Sequence, residues 1–354
     1  MTHPQWHPTC SRLALQLRAT MLDSVRKFFC ERDYLEVETP LLSTDVVVDA
    51  HLHPFTLRGE NRTLYLQTSP EAGMKRLLAA GSGSIFQITR SFRRGESGER
   101  HNPEFTIIEW YGVESTHIEQ MQLTEALVRS VMEHASTFLA QHAQFTQHAQ
   151  NKQHGSMPCS DHWSAEPFLR VSYDDAFRAV FGINVLNATI PELLNACSVH
   201  GISVPHMSSG SHSGFGNDLK DEILNVMMGI AVEPELGLRH PTFIHSYPST
   251  QAALARLDPR NPFTAHRFEL YIQGLELCNG YYELTDTEEL LQRDVFNNQR
   301  RSEQNHDVLP GAPLMMAAMR HGLPDCSGVA LGFDRLVMLA LGATSIHQVI
   351  PFPL

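Results

Sequence analysis

Cysteine is scarce and unpatterned in this chain. Its six residues (Cys10, Cys30, Cys159, Cys197, Cys278 and Cys326) show no Cys-x-x-Cys spacing. That argues against a zinc ribbon or a disulfide framework and for reduced thiols, as expected of a cytoplasmic protein. Long apolar runs are missing too. The longest candidate, "GVALGFDRLVMLALGA" (328–343), carries Asp334 and Arg335 and is too short to span a bilayer, so no membrane association is expected. The first residues, "MTHPQWHPTCSRLALQL", lack the basic flank and apolar core of a signal peptide. Basic residues do not dominate: 27 Lys and Arg face 39 Asp and Glu, a net charge of −12. Wholesale nucleic-acid binding is therefore disfavoured, and any anionic ligand must meet a local positive cluster. No internal repeat is present.

What is present is an ordinary globular composition, 42% hydrophobic and 19% charged over 354 residues, enough for one large domain or two smaller ones. Residues 11–33 place Leu13, Leu17, Met21, Val25, Phe28 and Phe29 on one helical stripe. "YLEVETPLL" (34–42) is extended and stops at Pro40. "TLYLQTSPEAGMKRLLAAG" (63–81) reads as a strand and then a helix, with Ser69 as N-cap and Pro70 at the first helical position. A helix is expected over 117–141. Residues 141–160, rich in Gln and His, read as a flexible surface insertion extending to about 165, and 206–218 as a loop. Residues 266–284 read as a strand with a sharp change at Asn279-Gly280. Thr285 and Glu288 then form a capping box for a helix to about 304. Few βαβ alternations point to an α+β fold with a mainly antiparallel sheet flanked by helices.

The local positive cluster is "RSFRRGESGERHNPEFTIIEWYG" (90–112), with Arg90, Arg93, Arg94 and Arg100. It reads as two antiparallel strands joined by the loop 94–103. Alternation places Gln87, Thr89, Ser91 and Arg93 on one face with Phe105, Ile107, Glu109 and Tyr111. Phe86, Ile88, Phe92, Ile108 and Trp110 make the other, core face. An arginine fork there suits a phosphate or a carboxylate, an aromatic ring can stack on a base, and Glu109 with Tyr111 can hold an ammonium group. The bland alternative is an edge hairpin with a solvated basic loop. Glu276, Asn279 and Glu283 supply hard oxygen ligands suited to Mg²⁺. Strict alternation separates Glu276 from the other two, so a bulge or turn near Gly280 is needed. In "GVALGFDR", Arg335 sits near a helix N-terminus, where phosphates bind well.

Three ordered segments carry a resemblance. "FFCERDYLEVETPLL", "FRR…HNPEFTIIEWY" and "GVALGFDR" resemble motifs 1, 2 and 3 of class II aminoacyl-tRNA synthetases, and "TSPEAGMKRLL" and "LELCNGYYELTD" resemble the lysyl-tRNA synthetase subgroup. The match covers roughly 15–135 and 220–345. Motif 1 begins near residue 20, which leaves no room for an N-terminal OB anticodon-binding domain. The chain thus resembles the truncated paralogue family that activates (R)-β-lysine with ATP and attaches it to a lysine of elongation factor P. The expected organisation is a tail over 1–14 and a single class II synthetase-like catalytic domain over 15–354.

The resemblance implies roles position by position. Ser69, Pro70, Glu71, Glu109, Tyr111, Asn279 and Glu283 would bind the amino acid. Ala330, standing where lysyl-tRNA synthetases have glycine, would shape that pocket toward the β-isomer, unless the change is neutral drift. Arg93 would bridge the substrate carboxylate and the α-phosphate. Arg93, Arg94, Gly95, Glu96, Asn102, Phe105, Glu276, Leu277, Gly332 and Arg335 would line the ATP site, with Arg93, Glu276 and Arg335 central to catalysis. Mg²⁺ would be held by Glu276 and Glu283. One departure stands out. The family's adenine-reading glutamate falls at Gly95, and Glu96 comes one place late, so either Glu96 or a loop carbonyl reads the base. The implied partners are elongation factor P and a second copy of the chain through motif 1, with no tRNA. Arg58, Arg62, Lys75, Arg76, Arg94 and Arg100 are candidates for a basic docking surface. Two alternatives stay open: a lysine-activating ligase acting on tRNA or a small amine, and a catalytically silent regulatory paralogue.

Overall fold

A computed structural model describes residues 6–142, 166–204 and 216–354. Most of the insertion expected at about 141–165 and of the loop expected at 206–218 lies outside the described residues. The chain divides into two compact units, Met1–Ala165 with Glu283–Leu354, and Glu166–Tyr282.

The first unit opens with α1 (Arg12–Cys30), whose N-cap Ser11 accepts a hydrogen bond from the Ala14 amide. The helix thus starts within the segment expected as a tail. Its expected stripe is inside: Leu17, Met21, Val25 and Phe29 are fully buried. Short strands follow: β1 (Leu35–Glu36), β2 (Leu42–Ser43), β3 (Thr56–Arg58) and β4 (Thr63–Leu66). The last three form a small sheet in the order β2-β4-β3. Next come α2 (Glu71–Ala79), β5 (Ile85–Phe92), β6 (Glu104–Val113) and α3 (His117–Gln141). The expected hairpin is present, antiparallel, with Gln87 opposite Glu109. Its apolar face packs on α1: the Phe86 ring stacks on Phe29 at 4.7 Å and Trp110 lies 5.2 Å from the same ring. The opposite face is buried as well, yet polar, with Gln87, Ser91 and Glu109 at most 2% exposed. Buried polar side chains gathered on one sheet face point to a site rather than to a core.

The second unit contains β7 (Leu169–Ser172), α4 (Tyr173–Phe181), α5 (Ile190–Val199), α6 (Gly216–Met227), β8 (Thr242–Pro248), β9 (Leu257–Asp258), β10 (Asn261–Ile272) and β11 (Leu275–Tyr282). β7 runs parallel to β8, while β8, β9 and β11 all pair antiparallel with β10. Its core gathers Tyr173, Phe177, Leu193, Ile223, Tyr247 and Tyr271. The single strand expected over 266–284 is a hairpin. It turns at Gln273-Gly274, both with positive φ (55° and 66°), the geometry that matches strand twist in a two-residue hairpin.

The chain then returns to the first unit with α7 (Thr287–Glu303), α8 (Pro313–Gly322), β12 (Cys326–Gly332) and α9 (Phe333–Leu341). Helix α7 is capped by Asp286, which accepts from the amides of Glu288 and Glu289, and not by the expected Thr285–Glu288 box. A carboxylate one residue later outcompetes the threonine for the same amides. Strand β12 pairs antiparallel with β6, setting Gly328 opposite Tyr111, Ala330 opposite Glu109 and Gly332 opposite Ile107. Arg18 of α1 binds Asp334 and the Thr106 hydroxyl, and Asp334 accepts from the Thr106 amide at 2.7 Å. This buried cross-link ties α1 to the second and third motif segments.

Candidate active site

The polar sheet face of the first unit carries a cluster of carboxylates. Glu109 accepts from Ser69 Oγ and from Tyr111 OH, each at 2.7 Å. Ser69 Oγ also accepts from the Glu71 amide at 3.1 Å, so it fixes the start of α2 and orients Glu109 at once. This corrects its expected role: Pro70, not Ser69, occupies the N-cap position. Proline can stand there because the first amides of a helix have no partner within it. Glu71 and Glu283 both meet Lys75 Nζ, each at 2.6 Å. Glu283, the first residue after the second unit, is anchored by its amide on the Cys326 carbonyl at 3.0 Å.

Burial decides the electrostatics here. Glu109 is pushed up to about 8 by desolvation and, next, by the Glu71 charge, against the pull of its two hydroxyl partners. Tyr111 is held well above its ordinary value by burial and by Glu109. Desolvation also raises Glu283, and the Lys75 ammonium offsets much of it. Burial alone would lower Lys75, but Glu283 and Glu71 together hold it above its ordinary value. Three buried carboxylates surround one lysine here, and with Glu109 keeping its proton near neutral pH the excess is one negative charge, which suits a cation.

Arg93 and Arg335 lie at the loop end of the hairpin. Arg93 follows β5 directly, and its amide bonds the Pro103 carbonyl at 2.9 Å. Its guanidinium sits 5.0 Å from the centre of the Phe105 ring and 3.7 Å from Glu96 Oε1, with Nε directed at the Thr68 carbonyl. Arg335, in the first turn of α9, donates to His101 Nε2 at 2.7 Å. Burial and the Arg335 charge lower the pKa of His101, consistent with a neutral acceptor ring. Gly95 has φ +91°, a region that side chains rarely adopt. A glutamate at that position would be strained. The Arg94 side chain is exposed, while its amide binds the His53 carbonyl. Asn102 is buried and its side chain serves the structure, donating to the Glu104 carbonyl at 2.6 Å and accepting from the Leu354 amide at 2.8 Å.

Glu276, Leu277 and Asn279 lie on β11 of the second unit. The parity shift required to bring Glu276 and Asn279 onto one face is there, but at Leu277 and not at Gly280. Cys278 pairs with Leu270 and Glu276 with Tyr271, so Leu277 is the extra residue of a bulge. Gly280 is needed for a different reason, since it faces the ring of Phe268, which leaves no room for a β-carbon. Of the two expected Mg²⁺ ligands, Glu276 fits. It is half-buried, and the bulge puts a second oxygen-bearing side chain on its face. Glu283 does not fit, because it is 1% exposed and already neutralised by Lys75. Among the described residues no group of three or more His, Cys, Asp or Glu could hold a metal ion.

Lys75 also leaves the proposed docking surface: it is 1% exposed, whereas Arg58, Arg62, Arg76 and Arg100 are exposed. The helical period carried that signal, because Glu71, Met74, Lys75 and Leu78 share one buried stripe. Sequence reasoning also missed Gly328, whose missing side chain makes room for Tyr111 and Glu283, and the Arg18–Asp334 pair.

Comparisons with known proteins show the family. The family model described as "tRNA synthetases class II (D, K and N)" matches residues 7–354. The chain is 38% identical to the elongation factor P–(R)-β-lysine ligase of Vibrio cholerae, over 100% of this chain and 99% of that protein. It is also 38% identical to the ligases of the same name from Yersinia enterocolitica and Salmonella paratyphi A, each over 98% of this chain and 97% of the relative. The chain therefore belongs to the class II tRNA synthetase family and, within it, to the elongation factor P–(R)-β-lysine ligases.

Proposed function

We propose that this protein activates (R)-β-lysine with ATP and transfers it to a lysine side chain of elongation factor P. The observation that carries this reading is the buried carboxylate cluster of Glu71, Glu109 and Glu283, gathered at the face of the hairpin to which strand parity also assigns Arg93. The cluster offers anionic partners to the two ammonium groups of a diamino acid, and Arg93 offers a cation to its carboxylate. The substrate carboxylate attacks the α-phosphorus of ATP in line. A carboxyl-oxygen–phosphorus bond forms, the bond to the bridging oxygen of pyrophosphate breaks, and the aminoacyl adenylate results. Arg93 offsets the negative charge that gathers at the phosphorus, and Arg335 takes the terminal phosphate. Glu276 would hold Mg²⁺, which supplies charge neutralisation across the phosphates when bound. The assignments of Glu276, Leu277 and Asn279 to substrate and nucleotide rest on sequence resemblance. In the second step the neutral acceptor amine attacks the adenylate carbonyl and AMP leaves.

Arg93 is fixed by Glu96 and Phe105, so Glu96 supports the phosphate-binding arginine and a loop carbonyl is the better candidate for reading adenine. Exposed Arg58, Arg62, Arg76, Arg94 and Arg100 form the proposed docking surface for an acidic acceptor. A homodimer is proposed through the motif 1 segment, where Leu35 (56% exposed), Leu41 and Leu42 (40% each) present apolar surface. The direct test is the intact mass of elongation factor P after incubation with ATP, (R)-β-lysine and this protein. A gain of one lysyl residue supports the reading. No gain, with aminoacylation of tRNA instead, would replace the acceptor.

A further inference from the structure

Lys75 lies within α2 among the carboxylates of the first unit, with its ammonium 2.6 Å from Glu71 Oε1 and 2.6 Å from Glu283 Oε2. At 1% exposure it is as buried as the core residues Met74 and Leu78 beside it. If packing were all that this stripe required, an apolar side chain would be the more stable choice, because a buried cation is tolerated only when paired at good geometry. Lys75 closes a chain of contacts. Glu109 is held by Ser69, Ser69 holds the Glu71 amide, Glu71 meets Lys75, and Lys75 meets Glu283. Glu283 fills the space that Gly328 leaves by lacking a side chain, its other oxygen lying 2.5 Å from where a β-carbon would stand.

We propose that Lys75 is a positioning and specificity residue for amino-acid activation. It clamps Glu71 and Glu283 in one arrangement and cancels one of their charges, so that the charge the pocket presents to a diammonium substrate is set by the carboxylates that Lys75 leaves uncompensated. This rests on the reading that these carboxylates face the amino acid. Lys75 itself touches neither ATP nor the acceptor protein. Without it, Glu71 and Glu283 repel each other, the chain of contacts opens, and the pocket no longer matches the substrate in charge or in shape.

The test uses pyrophosphate exchange by the full chain. In Lys75→Met the KM for (R)-β-lysine should rise at least tenfold, while the KM for ATP stays within twofold. Lys75→Ala should show the same defect and, in addition, leave space for propylammonium, which has the size and charge of the missing side-chain end. Added propylammonium should recover a substantial part of the lost kcat/KM, and propanol, of similar size but neutral, should not. An unchanged KM for the amino acid in Lys75→Met would overturn the proposal. So would equal relief by propanol, which would make the role one of volume, or an equal loss toward ATP, which would make it general damage. Circular dichroism of Lys75→Ala establishes that the variant is folded. The variants are assayed with whichever diamino acid the wild type activates fastest, so an error in the substrate proposed above would show in the wild type and leave this comparison intact.

Discussion

Gly328 offers the sharpest perturbation of the carboxylate pocket. A β-carbon placed on it would lie 2.5 Å from Glu283 Oε1 and 2.7 Å from Tyr111 Cδ1, with Tyr111 Cε1 closer still. Ordinary carbon contacts lie at about 3.5–4.0 Å, so each neighbour would have to retreat by roughly 1 Å. Neither can do so freely. Tyr111 is 3% exposed and donates to Glu109, and Glu283 is 1% exposed, held by Lys75 and anchored through its amide. Overpacking of this kind costs about 1–3 kcal/mol, and loosening a buried ion pair adds to it. A loss of about 2–3 kcal/mol in transition-state binding is about 30- to 150-fold in rate. Gly328→Ala should therefore lower kcat/KM for the amino acid in pyrophosphate exchange by that factor, with the KM for ATP little changed. The backbone itself imposes no penalty, because Gly328 is not among the glycines with positive φ. A variant within threefold of wild type would refute the reasoning, since it would mean that Glu283 and Tyr111 yield at little cost or do not face the substrate.

Other consequences follow from the same contacts. Glu109 keeps its proton on folding between its ordinary value of 4.5 and about 8. The stability this group contributes is therefore full below about pH 4.5 and lost as pH rises toward 8, with a slope of at most about 1.4 kcal/mol per pH unit. Glu109→Gln should flatten the fall in Tm between pH 5 and 8, and an unchanged slope would count against a buried neutral Glu109. Arg18→Ala leaves Asp334 buried without its partner and should cost about 3–5 kcal/mol in denaturant unfolding; a loss under 1 kcal/mol would show that water replaces the pair. Gly95→Glu, which restores the family's residue at that position, should raise the KM for ATP, because a side chain at φ +91° costs about 1–3 kcal/mol of strain; a lower KM would mean that the loop readjusts freely. Ala330→Gly removes the methyl opposite Glu109 and should shift preference toward α-lysine in the exchange assay, whereas an unchanged ratio would make the alanine neutral.

The elements with unbroken periodicity are legible in the sequence. α1, α3 and the β5–β6 hairpin lie where alternation and helical spacing put them, and the shared face of Gln87 and Glu109 follows from parity, whereas their direct pairing does not. Sequence and structure part where a local rule is outcompeted. Thr285 yields the cap to Asp286, and Ser69, one place before the N-cap Pro70, still accepts from the Glu71 amide while donating to a buried carboxylate that the helix pattern cannot see. Lys75 reads as a surface charge because lysine usually is one. Its position on the stripe of Met74 and Leu78 argues otherwise, and a buried lysine implies acidic partners brought from elsewhere in the chain. Of those partners, Glu71 lies one turn away, while Glu283 is 208 positions downstream and could not be paired with Lys75 by any local signal.

The bulge at Leu277 shows the same limit from the other side. The roles proposed for Glu276 and Asn279 require that they share a face, and three residues of regular strand forbid it. A break in register is therefore deducible, but not its position, and glycine is the natural suspect. The structure uses Gly280 for a close approach to Phe268 and puts the extra residue at Leu277, between the two functional positions. A bulge between them corrects the parity of Glu276 without disturbing the pairing of Asn279 with Glu269. Placed at Gly280, it would have left Glu276 and Asn279 on opposite faces. The site residues themselves thus fix where the irregularity must fall, and glycine is not required there.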